Sequence, residues 1–159
     1  MALDTILLLY DGQDDADAML DFACSMVGSR GQIIPLYVTV IPGTLPLAPL
    51  PSRFDRHGHA VLDRAEARAW RRGVALNSWL IRAWEPIEAI AEVARICEVR
   101  AIIVPQCSWM HPWRYLRTLQ IVRELSRAVS CPILAGSWQL PAEGAGQVLS
   151  DDVMEPESA

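Results

Sequence analysis

The sequence predicts a doubly wound α/β domain, with five mainly parallel strands in one sheet and helices on both faces. Three observations carry that prediction. Short apolar runs alternate with helical patterns almost without interruption over residues 1–138. The strongest runs are continuously apolar, as in strands buried on both faces. A helix-length segment separates most runs from the next, so right-handed crossovers make the sheet parallel. At 159 residues, one domain is expected, and folding buries roughly 70% of the unfolded chain's surface without disulfides or structural metal.

The elements follow in order. Thr5 to Tyr10 is the first strand, ended by Asp11-Gly12. A helix is expected from about Asp14 to Val27. Its Ala16, Met19, Leu20, Ala23, Met26 and Val27 share an apolar face, Asp17 and Asp21 lie opposite, and Gly28 is suited to the C-cap. Ile33 to Ile41 reads as the second strand. Between Pro42 and Pro51, four prolines and three leucines exclude a helix interior or a central strand. A charged amphipathic helix runs from about Asp55 to Arg72, closed by Gly73. Val74 to Ala83 is the third strand, with Leu76 and Leu80 in alternation. Pro86 sits at the first position of a helix that reaches about Val99, with Ile87, Ile90, Ala94 and Cys97 inward. Ala101 to Pro105 is the fourth strand. In the last helix Ile121, Val122, Leu125, Ala128 and Val129 point in, while Gln120, Arg123, Glu124 and Arg127 point out. Pro132 to Ala135 is the fifth strand.

Charge narrows the function classes. All fourteen cations are Arg and there is no Lys, which excludes a Schiff-base lysine and the phosphate-gripping lysine of a P-loop. Residues 1–138 balance, and the net charge of −5 resides in residues 139–159. A neutral body with an acidic tail is unsuited to duplex DNA, so no nucleic-acid partner is expected. The tail is expected to be disordered and dispensable for folding. The longest unbroken apolar run, Ile6 to Tyr10, falls far short of the roughly 20 residues of a membrane span. No signal peptide is legible, and a cytoplasmic location is expected. The four cysteines (Cys24, Cys97, Cys107, Cys131) show no zinc or redox spacing, and three of them read as core.

In a sheet of this kind ligands bind beyond the carboxyl ends of the strands. Asp11 stands at such an end. It is either a carboxylate that accepts hydrogen bonds from a ligand or a turn residue that bonds nearby backbone N–H groups.

Four segments resemble the universal stress protein family. Ile6-Leu7-Leu8-Leu9-Tyr10-Asp11-Gly12 is similar to its opening strand, and Pro86-Ile87-Glu88-Ala89-Ile90 to the start of its third helix. Ala101-Ile102-Ile103-Val104 and Cys131-Pro132-Ile133-Leu134 are similar to its fourth and fifth strands. The resemblance covers about residues 4–136. It implies a Rossmann-like fold, a role in stress adaptation in the cytoplasm, and a homodimer formed through the fifth strand, here Pro132 to Ala135. Trp138 follows that strand and is placed to cover the seam.

Many members of that family bind ATP through a glycine-rich segment after the fourth strand, where glycine lets backbone N–H groups approach phosphate. Laid on this chain, the three glycine positions fall on Gln106, Trp109 and Leu119, and the hydroxyl position on Gln120. No glycine occurs between Gly73 and Gly136. ATP binding is therefore expected to be lost or weak, and no enzyme activity or cofactor is assigned. The resemblance leaves Asp11, Gly12 and Val38 as ligand-cleft candidates. In the replacement segment, bulky side chains either fill the cleft, or Trp109 and Trp113 form an aromatic platform for a base or a partner with Arg114 and Arg117 facing an anion, or these aromatics are simply core. His57, His59 and His111 lack a fourth ligand and metal spacing, so no metal is assigned.

Three functions stand beside one another. The first is a stress-response domain that does not hydrolyse ATP and acts through dimerisation and contact with a protein partner or small ligand. The second is a nucleotide-binding hydrolase or transferase of the wider adenine-nucleotide α/β superfamily. The third is a thiol sensor using Cys107, if a helix N-terminus lowers its pKa.

Overall fold

The computed structural model describes residues 3–12, 14–41, 43–44, 53–105 and 112–136. Trp109, Cys107, His111, Trp138, most of the Pro42 to Pro51 segment and the acidic tail lie outside the described residues. Nine elements alternate: β1 (Leu3–Leu9), α1 (Asp14–Met26), β2 (Val27–Val40), α2 (Arg53–Trp70), β3 (Trp79–Ala83), α3 (Pro86–Ile96), β4 (Ala101–Pro105), α4 (Pro112–Ala128) and β5 (Ile133–Gly136). They form one five-stranded sheet of order β3-β2-β1-β4-β5, and every pairing is parallel. The chain starts at the centre, steps out to β3, returns across β1, and steps out again to β5. The order reverses between β1 and β4, which is where this architecture opens a ligand crevice.

Strand alternation divides the core into two layers. Ile6 and Leu8 of β1, and Tyr10 just after it, point to the α1/α2 face, where they meet Met19, Leu20, Val61 and Ala65. Leu7 points the other way, into a cluster with Ile34, Leu36, Ile90, Ile102 and Leu125. A run apolar at every position is thus needed because helices cover both faces. Each fully buried Leu or Ile contributes roughly 1.5–3 kcal/mol. Among the described residues no helix is long and apolar enough to cross a membrane.

Several boundaries differ from expectation. Gly28 is not a helix cap, because β2 begins directly at Val27. There Leu3 pairs with Val27 while Thr5 pairs with Gln32, so the extra β2 residues bulge between two registers. β3 starts at Trp79 rather than Val74. Before it, Val74 N–H bonds the Ala69 carbonyl, and only Leu76 makes an isolated bridge, to Ile33. The apolar alternation of Val74 and Leu76 is used for packing on the α1/α2 layer, without a ladder. Gly73 closes α2 with a positive φ of 73°, as its sequence position suggested.

α3 ends at Ile96, before the expected Val99. The Val99 N–H bonds the Ala94 carbonyl at 3.0 Å and the Glu98 N–H bonds Arg95 at 3.3 Å. Glu98 has φ +50°. This is a Schellman stop with Glu where glycine is usual, and buried Val99 supplies its apolar contact.

Asp21 is the largest departure. Placed by periodicity on the outer face of α1, it is only 1% exposed. α2 lies against α1 and covers it with two guanidiniums. Arg68 makes a two-pronged contact at 2.8 and 2.7 Å, and Arg72 Nε lies 3.1 Å away. A second pair, Asp55 with Arg82, ties the first turn of α2 to β3. Helix α2 also approaches the sheet at Gly58, where a Cβ would come within 2.6 Å of Leu80 and 2.8 Å of Tyr37. On α4, Leu125 is fully buried, whereas Ala128, expected to point inward, is exposed. It lines an open groove between the ends of α3 and α4.

Candidate functional site

The carboxyl ends of β1, β2 and β4 frame a cleft of about 500 Å³ on the α3/α4 side of the sheet. Its floor is apolar because the strand residues there come from the Leu7-facing layer: Leu9, Leu36, Val38 and Val104. Pro86, Ile87 and Ile90 of α3 form one wall. The opposite wall is α4, with Thr118, Gln120, Ile121 and Glu124. Asp11, exposed, stands at the mouth where β1 ends.

The candidate residues separate on this frame. Asp11 and Val38 both line the cleft. Gly12 faces the other way, toward α2. Its φ is +78°, its carbonyl accepts a hydrogen bond from Arg64 Nη2 at 3.2 Å, and a Cβ there would meet Val61 at 3.0 Å. A glycine is needed at this position for the turn and for the close approach of α2. Arg114 and Arg117 lie in the first two turns of α4, and their side chains are outside the described ones. His57 and His59 are exposed on α2, with the His57 ring edge-on to Tyr37 at 6.2 Å.

Sequence reasoning missed the α4 wall. It placed Gln120 and Glu124 on the outward face of α4, and both are indeed exposed. What periodicity does not carry is where that outward face looks. Near the β4 end of α4 it looks across the cleft toward α3. The one signal in the sequence is the family resemblance, which sets the hydroxyl position of the glycine-rich segment on Gln120.

Beneath the mouth, Tyr10 closes β1 at 2% exposure, and its hydroxyl donates to the Asp17 carboxylate on α1. Burial, and then that hydrogen bond, hold the phenol well above its usual range. The folded value exceeds the unfolded value of about 10, so the neutral phenol contributes stability that is complete below pH ~10 and is lost as the pH rises further. Ultraviolet titration should show a phenol that resists ionisation until the chain unfolds, and Tyr10→Phe should remove its contribution from that late phase. Tyrosines that all ionise near pH ~10 in the folded chain would contradict this. The thiols of Cys24, Cys97 and Cys131 are likewise pushed up by burial, which makes them slow nucleophiles at neutral pH.

No family model matches the chain, and no curated protein sequence matches it. Solved structures do. A protein of the universal stress protein family from Burkholderia pseudomallei aligns at 25% identity and a TM-score of 0.59, over 86% of this chain and 97% of its own. The universal stress protein of Archaeoglobus fulgidus in complex with dAMP aligns at 17% identity and a TM-score of 0.60, over 84% and 96%. A universal stress protein family protein from Arabidopsis thaliana with AMP bound aligns at 12% identity and 0.56, over 83% and 90%. The likeness first carried by four short motifs is found in the three-dimensional structure as well.

Proposed function

We propose, from the premise that this chain has the fold of the universal stress protein family, that it is a non-hydrolysing stress-response domain that takes a nucleoside-type ligand in its cleft. The observation that carries this reading is the cleft itself, at the strand-order reversal, with Asp11 at its mouth and Val38 on its floor. Structures with dAMP and AMP bound share the fold. An apolar floor suits a planar base, and Asp11 supplies acceptors for hydroxyl or amine hydrogens. The chain lacks the phosphate-approach glycines, whose positions are occupied by Gln106, Trp109 and Leu119. Leu119 lies within α4, where its backbone N–H belongs to the helix.

Calorimetry tests the reading. Adenosine should bind, Asp11→Ala should weaken it by about tenfold through loss of charge-assisted hydrogen bonds, and ATP should show neither hydrolysis nor a low-micromolar Kd (about −8 kcal/mol). Absence of binding by any adenine compound would overturn it.

Self-association completes the proposal. Among the described strands β5 pairs only with β4, at the sheet edge, which leaves one side of its backbone open to a second copy or to a protein partner. Light scattering at micromolar concentration is expected to give twice the chain mass. A mass near that of one chain would remove the dimer.

A further inference from the structure

The charges around the cleft carry the reading one step further, to the class of ligand. Among the described residues that line it, the charged side chains are Asp11 and Glu124, both carboxylates, and no Arg is among them. Glu124 accepts a hydrogen bond at 3.1 Å from the side-chain amide of Gln120, one turn earlier on the same wall. A neutral amide holds the carboxylate in place without cancelling its charge. The neighbouring Arg64 extends to the Gly12 carbonyl, on the α2 side of the sheet. At Leu9, Leu36, Val38 and Val104 the floor is aliphatic, and these side chains offer an anion no donor.

We infer that the cleft selects an uncharged nucleoside against its phosphorylated forms, with Glu124 as the residue that disfavours phosphate. This rests on the nucleoside-binding reading above. A phosphate entering beside Glu124 meets a like charge at the exposed rim of the cleft, whereas ribose hydroxyls find an acceptor there. The absence of glycine between Gly73 and Gly136 removes the backbone approach that would otherwise offset the repulsion.

The test is calorimetry of the full chain with adenosine, AMP and ATP at low and high salt, repeated on Glu124→Gln. Adenosine is expected to bind about tenfold tighter than AMP at low ionic strength. The ratio should narrow at about 0.5 M salt, where the screening length falls to about 4 Å. In Glu124→Gln the AMP-to-adenosine Kd ratio should fall by about threefold or more even at low salt. AMP or ATP binding as tightly as adenosine would overturn this selectivity and leave the nucleoside reading standing. A ratio unmoved in Glu124→Gln would overturn the role of Glu124. Absence of binding by all three compounds would overturn the nucleoside reading and this inference with it.

Discussion

Truncating Leu125 to alanine is expected to lower the unfolding free energy by about 3 kcal/mol, within the range for a fully buried leucine. Leu125 is the one fully buried side chain among those described on α4, with Ile121, Val122 and Val129 half-buried around it. The loss combines the transfer energy of the removed carbons with a cavity against Leu7, Ile102 and α3. The functional consequence follows from position. α4 carries Thr118, Gln120, Ile121 and Glu124 to the cleft, so a loosened helix should also lose ligand affinity. Urea denaturation measures the first effect, with the exposed Arg127→Ala as a reference that should change stability by less than about 0.5 kcal/mol. A loss below about 1 kcal/mol for Leu125→Ala would mean that α4 is held by other contacts.

The second large effect is expected at the α1–α2 clamp, and it is asymmetric. The Asp21 side chain is 2% exposed, while Arg68 and Arg72 are 42% and 45% exposed. Removing a guanidinium strands a buried carboxylate, whereas removing the carboxylate releases two guanidiniums that already reach water. Arg68→Met keeps much of the apolar stem and should cost about 3 kcal/mol, because a buried charge loses its two-pronged partner. Arg72→Met, which removes a single longer contact, should cost about half as much. The double variant Asp21→Leu/Arg68→Met removes charge and partner together and should lie within about 1 kcal/mol of the parent. Equal losses for Arg68→Met and the double variant would show that packing, and not the charge, holds the helices together.

Legibility varied with the kind of signal. β4 was placed at its observed bounds because Ala101 to Pro105 is apolar at every position and is flanked by breaks. α3 was read from Pro86 and an apolar stripe, and both are present, yet its end was missed. The stop at Glu98 is made by backbone hydrogen bonds to Ala94 and Arg95, and no glycine marks it. β3 starts later than the alternation of Leu76 with Leu80 suggests, because Val74 and Leu76 pack on the α1/α2 layer with only an isolated bridge from Leu76 to Ile33. At the cleft, Asp11 is legible as a strand-end residue and Val38 through the family resemblance, but the wall opposite them is not.

What the sequence by itself determined is therefore whatever depends on local pattern. Apolar runs separated by amphipathic helices require a parallel sheet covered on both faces, since no other arrangement buries β1 and β4 on two sides. The absence of glycine between Gly73 and Gly136 is likewise legible in the sequence alone, and it carries the expectation that a phosphate cradle is lost, since backbone without Cβ atoms makes that approach. The tertiary structure alone decided which polar residues meet. Asp21 looks solvated along α1 and is buried, because Arg68 and Arg72 arrive from a helix more than forty residues away in the chain. Glu124 looks solvated along α4 and faces Asp11's end of the sheet, because the strand order reverses between β1 and β4. Helical periodicity records which face of an element avoids water. It carries no record of what lies opposite the other face, and it is there that Asp21 meets Arg68 and Arg72.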